Sequence, residues 1–133
     1  MCGINFIFSL NSEQTLSQKD KKDLIHMNKL IKYRGPDNSG YFFSDYAALG
    51  HNRLSIVDNR PLSNQPFFST SKNSLIIFNG EIYNFKELKK KYLSSVKFET
   101  NTDTEVLFKL YQLKGKRILR ELRGIFSFVF IDF

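Results

Sequence analysis

In 133 residues the chain has no tryptophan, three prolines, two histidines and one cysteine. A lone cysteine cannot close an internal disulfide, which points to a reducing compartment. No apolar run reaches the roughly 18 residues of a membrane span. "GINFIFSL" is apolar, but no basic region precedes it and no cleavage site follows, so it does not read as a signal peptide. Cysteine at position 2 excludes N-myristoylation, which needs glycine there. These absences lead to the expectation of a soluble cytoplasmic protein. With no internal repeat and no Pro- or Gly-rich linker, residues 1–133 read as one domain.

Apolar residues make up 41% of the chain and charged residues 25%, enough for a core of its own; phenylalanine is abundant, at 14. The net charge is +7. The lysines are scattered, and no basic stripe is interleaved with aromatics, so the excess reads as solvated helix faces rather than a nucleic-acid surface. "KDKK" and "KELKKKY" fit that reading.

Gly3 to Leu10 reads as a strand covered on both faces, because its apolar run is continuous. "NSEQTLSQ" reads as a loop. Leu24, Met27, Leu30 and Ile31 recur at helical spacing between Lys19 and Ile31, and Gly35-Pro36 ends the pattern. "GYFFS" and "AALGHNRLSIV" read as strands, and "DNRPLSNQPFFSTSKNS" as a turn-rich loop. "SLIIFNGEIY" reads as strand, turn and strand, since Asn-Gly favours two-residue hairpins. Asn84 and Glu87 suggest a capped helix, "VKFET" a short strand, and Thr102 with Glu105 a capping box that starts a helix stopped by Gly115. A short helix is expected around Arg117 to Leu122. "GIFSFVFIDF" reads as a buried strand. A buried strand running to Phe133 gives the expectation that the chain is a fragment of something longer. Strands interspersed with helices on an aromatic core imply a layered α+β domain.

The lone cysteine is Cys2. If Met1 is removed, one residue carries both a thiol and a free α-amine. Their unperturbed pKa values, about 8.5 and about 8, allow the amine to accept the thiol proton near neutrality. That is a nucleophile with its own base, needing no histidine. His26 and His51 have no evident partner and read as structural. Acyl transfer also needs donors for a developing oxyanion, and the Asn79 amide with the Gly80 N–H can supply two. Arg53 can grip a carboxylate with two parallel bonds, or be a surface arginine. Asp103, in the first turn of a helix, can hold an ammonium group or simply complement the helix dipole. Together Arg53 and Asp103 would read the α-carbon end of an amino acid.

The motifs "MCGI", "YRGPDNSGY", "GHNRLSIVD", "QPF", "FNGEIYNFKEL", "TDTEVLFKLY" and "LRGIFSFVFID" follow one another along the whole chain. In that order they resemble the glutaminase domain of glutamine-hydrolysing asparagine synthetases, a class II glutamine amidotransferase domain of the N-terminal-nucleophile hydrolase type. "RGPDNSG" and "HNRLSIVD" look like this branch rather than the sugar-phosphate or phosphoribosyl branches. The loop "DNRPLSNQPF" departs from the family's usual, often glycine-bearing, loop. The resemblance implies an αββα sandwich, incomplete at its C-terminal end. It implies that Cys2 attacks the glutamine side-chain amide with its α-amine as base, and that Asn79 and Gly80 form the oxyanion hole. Arg53 would bind the α-carboxylate, and Glu81 and Asp103 would surround the α-ammonium. The backbone of Leu54, Ser55, Ile56 and Val57 would line the pocket. L-glutamine is the implied substrate, and no cofactor or metal is implied in this chain. ATP and magnesium belong to the synthetase domain expected in cis, where ammonia amidates aspartate; a homo-oligomer is compatible with this. Two other readings stay open at this point: a relative that aminates another carboxylate, such as a surface sugar acid, and a truncated module without catalysis.

Overall fold

Residues 1–11 and 13–133 are described by the structure, a computed structural model. Ser12, within the stretch read as a loop, lies outside the described residues. Strand β1 (Gly3–Phe8) and strand β2 (Asn38–Phe43) both pair antiparallel with strand β3 (Ala47–Arg53), giving the order β1-β3-β2. Helix α1 (Gln18–Leu30) lies on β1 and β3. Its start is fixed by a reciprocal cap, in which the Ser17 hydroxyl accepts from the Asp20 N–H and the Asp20 carboxylate accepts from the Ser17 N–H.

A second sheet, in the order β4-β5-β6, contains strand β4 (Phe67–Phe68), strand β5 (Ser74–Ile82) and strand β6 (Gly124–Asp132). Leu49 of the first sheet meets Leu75 and Ile77 of the second, all three fully buried, with Ile4 and Val129 beside them. Each such side chain contributes about 1.5–3 kcal/mol by leaving water. Alternation along β5 sends Ile76, Phe78 and Ile82 to the opposite face. There they pack with Leu107 and Phe108 of helix α3 (Asp103–Lys114). Helix α2 (Phe85–Tyr92) joins that layer through Leu88, which clusters with Val106 and Leu110. Helix, sheet, sheet, helix is the αββα sandwich.

Several local expectations are overturned. β1 is not covered on both faces: Phe6 is 49% exposed, and the strand ends at Phe8. It is an edge strand: Gly3 is buried, Ile4, Asn5 and Ile7 are half-buried, and Phe6 and Phe8 are exposed. On α1 the buried face is Leu24 with Asn28, while Met27 and Leu30 face outward. Asn28 turns the helix: its amide donates to Asn52 Oδ1 at 3.1 Å and its carbonyl accepts from Asn52 Nδ2 at 2.6 Å. β3 stops at Arg53, so Leu54 to Val57 form a loop rather than more strand. "VKFET" forms no strand, because the Glu105 carboxylate takes the N–H groups of Glu99 and Thr100. That also leaves the Thr102 cap one-sided, since Thr102 accepts from the Glu105 N–H without return. Asn84 stands at the N-cap of α2 as expected, but its side chain makes no capping bond and instead bridges the Glu121 carbonyl and the Arg123 N–H. Around Arg117 the backbone forms a 3₁₀ turn, Gly115–Arg120. β6 is half-covered rather than buried, with Ile125 66% exposed, because it pairs with β5 alone.

The expected hairpin turn at Asn79-Gly80 is absent. β5 runs unbroken through both residues, and its pairing with β6 continues through Gly80 opposite Phe126. The local turn preference of Asn-Gly yields to this partner strand. Gly80 sits at φ +148°, and a Cβ there would lie 2.2 Å from the Ile125 carbonyl oxygen. Gly80→Ala is therefore expected to cost about 3 kcal/mol or more. Urea unfolding measures this, and a loss below about 1 kcal/mol would mean that β6 can move aside.

Candidate active site

At one end of the sandwich a cavity of about 380 Å³ opens between the sheets and α3. Cys2, Arg53, Leu54, Ile56, Val57, Gly80, Glu81 and Asp103 all line it. Of the residues singled out from the sequence, Ser55 and Asn79 do not. The Ser55 N–H is held by Asp37 Oδ2 at 2.7 Å, which turns Ser55 toward a second depression.

Cys2 is held in place by its neighbours. Gly3, next in the chain, pairs with Asn52 in β3. The Cys2 carbonyl accepts from Arg34 Nε at 3.1 Å, and its sulfur accepts from the Leu54 N–H at 3.5 Å. Met1 precedes it at the cavity wall and is exposed.

Gly80 presents a backbone donor to the same space. In an antiparallel pair, alternate residues direct their N–H groups to opposite edges. Around β5 the odd-numbered residues bond toward β6: Tyr83 N–H to the Arg123 carbonyl at 2.7 Å, and the Asn73 carbonyl to Phe133 N–H at 2.8 Å. The even-numbered residues face the other edge, where two-residue β4 has already ended. There Phe78 N–H meets Gln65 Oε1 at 2.6 Å and Ile82 N–H meets Asp103 Oδ2 at 2.9 Å. Gly80 lies between these two capped positions, and its N–H points into the cavity with no acceptor among the described residues. Asn79 projects from the opposite pleat, on the face shared with Ile77. Its Oδ1 is buried without a partner, and its Nδ2 has no acceptor among the described residues.

Arg53, at the end of β3, is buried. Its guanidinium donates to the carbonyls of Asp58 and Arg60 and, at 2.7 Å, to Asn64 Oδ1. Of its five N–H donors, two remain for a ligand. Asp103 receives the Ile82 N–H but has no cationic partner among the described residues. Burial pushes its carboxyl above the ordinary aspartate value, and the nearby Glu81 charge adds to this, while backbone N–H donors act the other way. A half-buried carboxylate lacking a counter-charge among the described residues is a ready partner for an ammonium group.

The structure adds residues that the sequence did not flag. Arg34 holds the Cys2 backbone, and Gln65 caps Phe78; both lie in quoted motifs, but neither motif carries a local signal of those contacts. His51, read as structural, is completely buried and joins the two sheets through Nε2 and the Phe78 carbonyl at 3.1 Å. A carbonyl only accepts, so Nε2 carries the proton; Nδ1 is buried without a partner among the described residues. Burial pushes the imidazole down to about 4, the Phe78 bond opposes this, and Arg53 adds to it. From the ordinary 6.5 down to about 4 the unfolded chain binds a proton that the folded chain refuses. Stability present at neutral pH should therefore fall by up to about 3 kcal/mol across that window. Urea titrations at several pH values should show this loss, and His51→Gln should flatten it. An equal slope in the variant would assign the loss to other groups.

No helix is long and apolar enough to cross a membrane, and no cluster of three or more His, Cys, Asp or Glu suits a metal ion; both statements concern the described residues. The family described as "Glutamine amidotransferase domain" matches residues 1–133. This chain belongs to that family. It is similar to asparagine synthetase B [glutamine-hydrolyzing] of Escherichia coli, 38% identical over 132 residues, covering 99% of this chain and 23% of the relative. A putative asparagine synthetase [glutamine-hydrolyzing] 2 of Methanocaldococcus jannaschii is 37% identical over 150 residues, covering 99% and 28%. Asparagine synthetase [glutamine-hydrolyzing] 1 of Bacillus subtilis is 38% identical over 131 residues, covering 97% and 20%. The amidotransferase domain thus spans about a quarter of the length of these curated relatives.

Proposed function

We propose that this amidotransferase domain hydrolyses L-glutamine through Cys2 and supplies the ammonia to an asparagine synthetase. The observation that carries the reading is the meeting, in one cavity, of the Cys2 sulfur, the unpaired Gly80 N–H, Arg53 and Asp103. Removal of Met1 frees the Cys2 α-amine and takes one residue from the cavity wall. The amine accepts the thiol proton, and the sulfur attacks the side-chain amide carbon of glutamine. The carbonyl oxygen becomes an oxyanion met by the Gly80 N–H, and the Asn79 amide, which lies outside the cavity lining, must rotate toward it to act as the second donor. The protonated amine returns its proton to the leaving nitrogen, the C–N bond breaks, and ammonia departs from a glutamyl thioester. Water then attacks the thioester carbon, its proton passing to the amine, and releases glutamate and the thiol.

Arg53 receives the α-carboxylate with its two remaining donors. Asp103, with Glu81, receives the α-ammonium, which relieves the uncompensated charge of the half-buried carboxylate. Leu54, Ile56 and Val57 supply the apolar wall. ATP and magnesium serve the synthetase region, expected in cis outside these residues, where ammonia amidates aspartate; the names of the similar proteins support that acceptor.

The test is to incubate the purified chain with L-glutamine and follow ammonia and glutamate. Equal release of both is expected. So are an intact mass without Met1 and one adduct on Cys2 from a glutamine-mimicking electrophile. A mass that keeps Met1 in a chain that still turns over would reject the α-amine as base.

A further inference from the structure

The loop after β3 and the start of α3 carry the two groups assigned above to the ends of a free amino acid. Arg53 stands before the loop, and Asp103 opens the helix. One side chain joins the two supports. The Asp58 main-chain carbonyl accepts from Arg53 Nη2. Its carboxylate accepts at Oδ1 from the Arg60 N–H at 3.1 Å and Arg60 Nε at 2.9 Å. At Oδ2 it accepts from Arg60 Nη2 at 2.6 Å and from the Asn101 N–H at 3.3 Å. Asn101 directly precedes Thr102, the N-cap of α3, and Asp103 follows. Arg60 reinforces the joint by donating from Nη2 to the Glu99 carbonyl at 3.2 Å.

Asp58 is the buried member of this joint: its side chain is 5% exposed, against 52% for Arg60. The Arg60 guanidinium, chiefly through hydrogen bonding, holds the Asp58 carboxyl well below the usual carboxylate range, so it is ionised at neutral pH. It also borders the cavity. An unbroken path of hydrogen bonds therefore runs from Arg53 through Asp58 to the turn that positions Asp103.

We infer that Asp58 is a positioning residue that sets the separation between Arg53 and Asp103, and with it the recognition of the carboxylate and ammonium ends of a free amino acid. The inference rests on the roles proposed for Arg53 and Asp103. A residue that only stabilised the fold would change the fraction of active protein. A spacer between two binding groups changes affinity instead and leaves the thiol chemistry alone.

In Asp58→Ala, KM for glutamine should rise about tenfold or more while kcat stays within about threefold. Asp58→Asn keeps the size and one carboxylate-like acceptor, and should fall between this variant and the parent. Iodoacetamide, which has no amino-acid end, should alkylate Cys2 at the parental rate. A glutamine-mimicking electrophile should react about tenfold more slowly. Binding of L-glutamine by calorimetry, in a Cys2→Ala background, supplies a measure independent of turnover. Parental binding that Asp58→Ala leaves unchanged overturns the inference, as does a fall in kcat at constant KM or equal slowing of both alkylations. Glutamine binding without hydrolysis by the unsubstituted chain would instead overturn the glutaminase reading, leaving the binding comparison to decide the role of Asp58. If the Cys2→Ala chain with Asp58 intact binds no glutamine, both readings fall.

Discussion

Cys2→Ala is expected to lower glutamine-dependent ammonia release by about 10³-fold or more, with KM or Kd for glutamine little changed. Among the described residues lining the cavity the sulfur is the strongest nucleophile; the Ser63, Tyr83, Thr102 and Thr104 hydroxyls have no α-amine on the same residue to take their proton. His51 is held by Phe78 between the sheets and does not border the cavity. Its imidazole cannot take over. The amino-acid contacts proposed above lie on Arg53, Glu81 and Asp103, so alanine at position 2 leaves binding in place. Cys2→Ser is the sharper variant. It keeps the shape and a hydroxyl, but an alcohol yields its proton far less readily than a thiol to an amine of pKa about 8. Both variants should fold as the parent does, since Cys2 is only partly buried and closes no disulfide. Coupled enzymatic detection of glutamate gives the rates. Activity in Cys2→Ala within tenfold of the parent would remove the sulfur from the mechanism.

On the proposed reading, in which the Asn79 amide rotates into the cavity as charge develops, Asn79→Ala is expected to cost about 10²–10³ in kcat by removing one of two donors. KM should stay within a few-fold, since a ground-state carbonyl gains less from that donor than the oxyanion does. Asn79→Asp should be worse, as it opposes one negative charge with another. The structural cost of Asn79→Ala should be small: its Oδ1 is already unsatisfied in the folded chain, so removal deletes a buried polar atom without breaking a bond. Steady-state kinetics with a parallel thermal melt separates these effects. A rise in KM with kcat intact would place Asn79 among the binding groups instead.

What could be read from residue types alone was whatever depends on near neighbours. The Thr102 cap, the Gly115 stop and the layered α+β architecture follow from spacings within one helix or strand. The chemistry proposed for Cys2 likewise draws on atoms within one residue. What could not be read depends on partners far along the chain. Asn79-Gly80 has a turn's composition, yet β6, more than forty positions on, holds it straight. "VKFET" has the composition of a strand, but its N–H groups go to a carboxylate in the next helix. Asp58 stands in a stretch that looks like undifferentiated loop, and only the fold brings Asn101 to it. The open Gly80 N–H was equally hidden, because it lies past the reach of a β4 only two residues long, whose first residue, Phe67, pairs no further along β5 than Ile76.

The bond from Arg34 to the Cys2 carbonyl bears on how this domain matures. Chain ends usually fray, and a new terminus created by proteolysis would ordinarily drift from its pocket. Here every fastening lies on the inner side of the scissile bond: the Cys2 carbonyl on Arg34, the sulfur on Leu54 and the next residue in a sheet. Loss of the exposed first residue, as proposed above, would therefore free the Cys2 amine without disturbing the parts left behind.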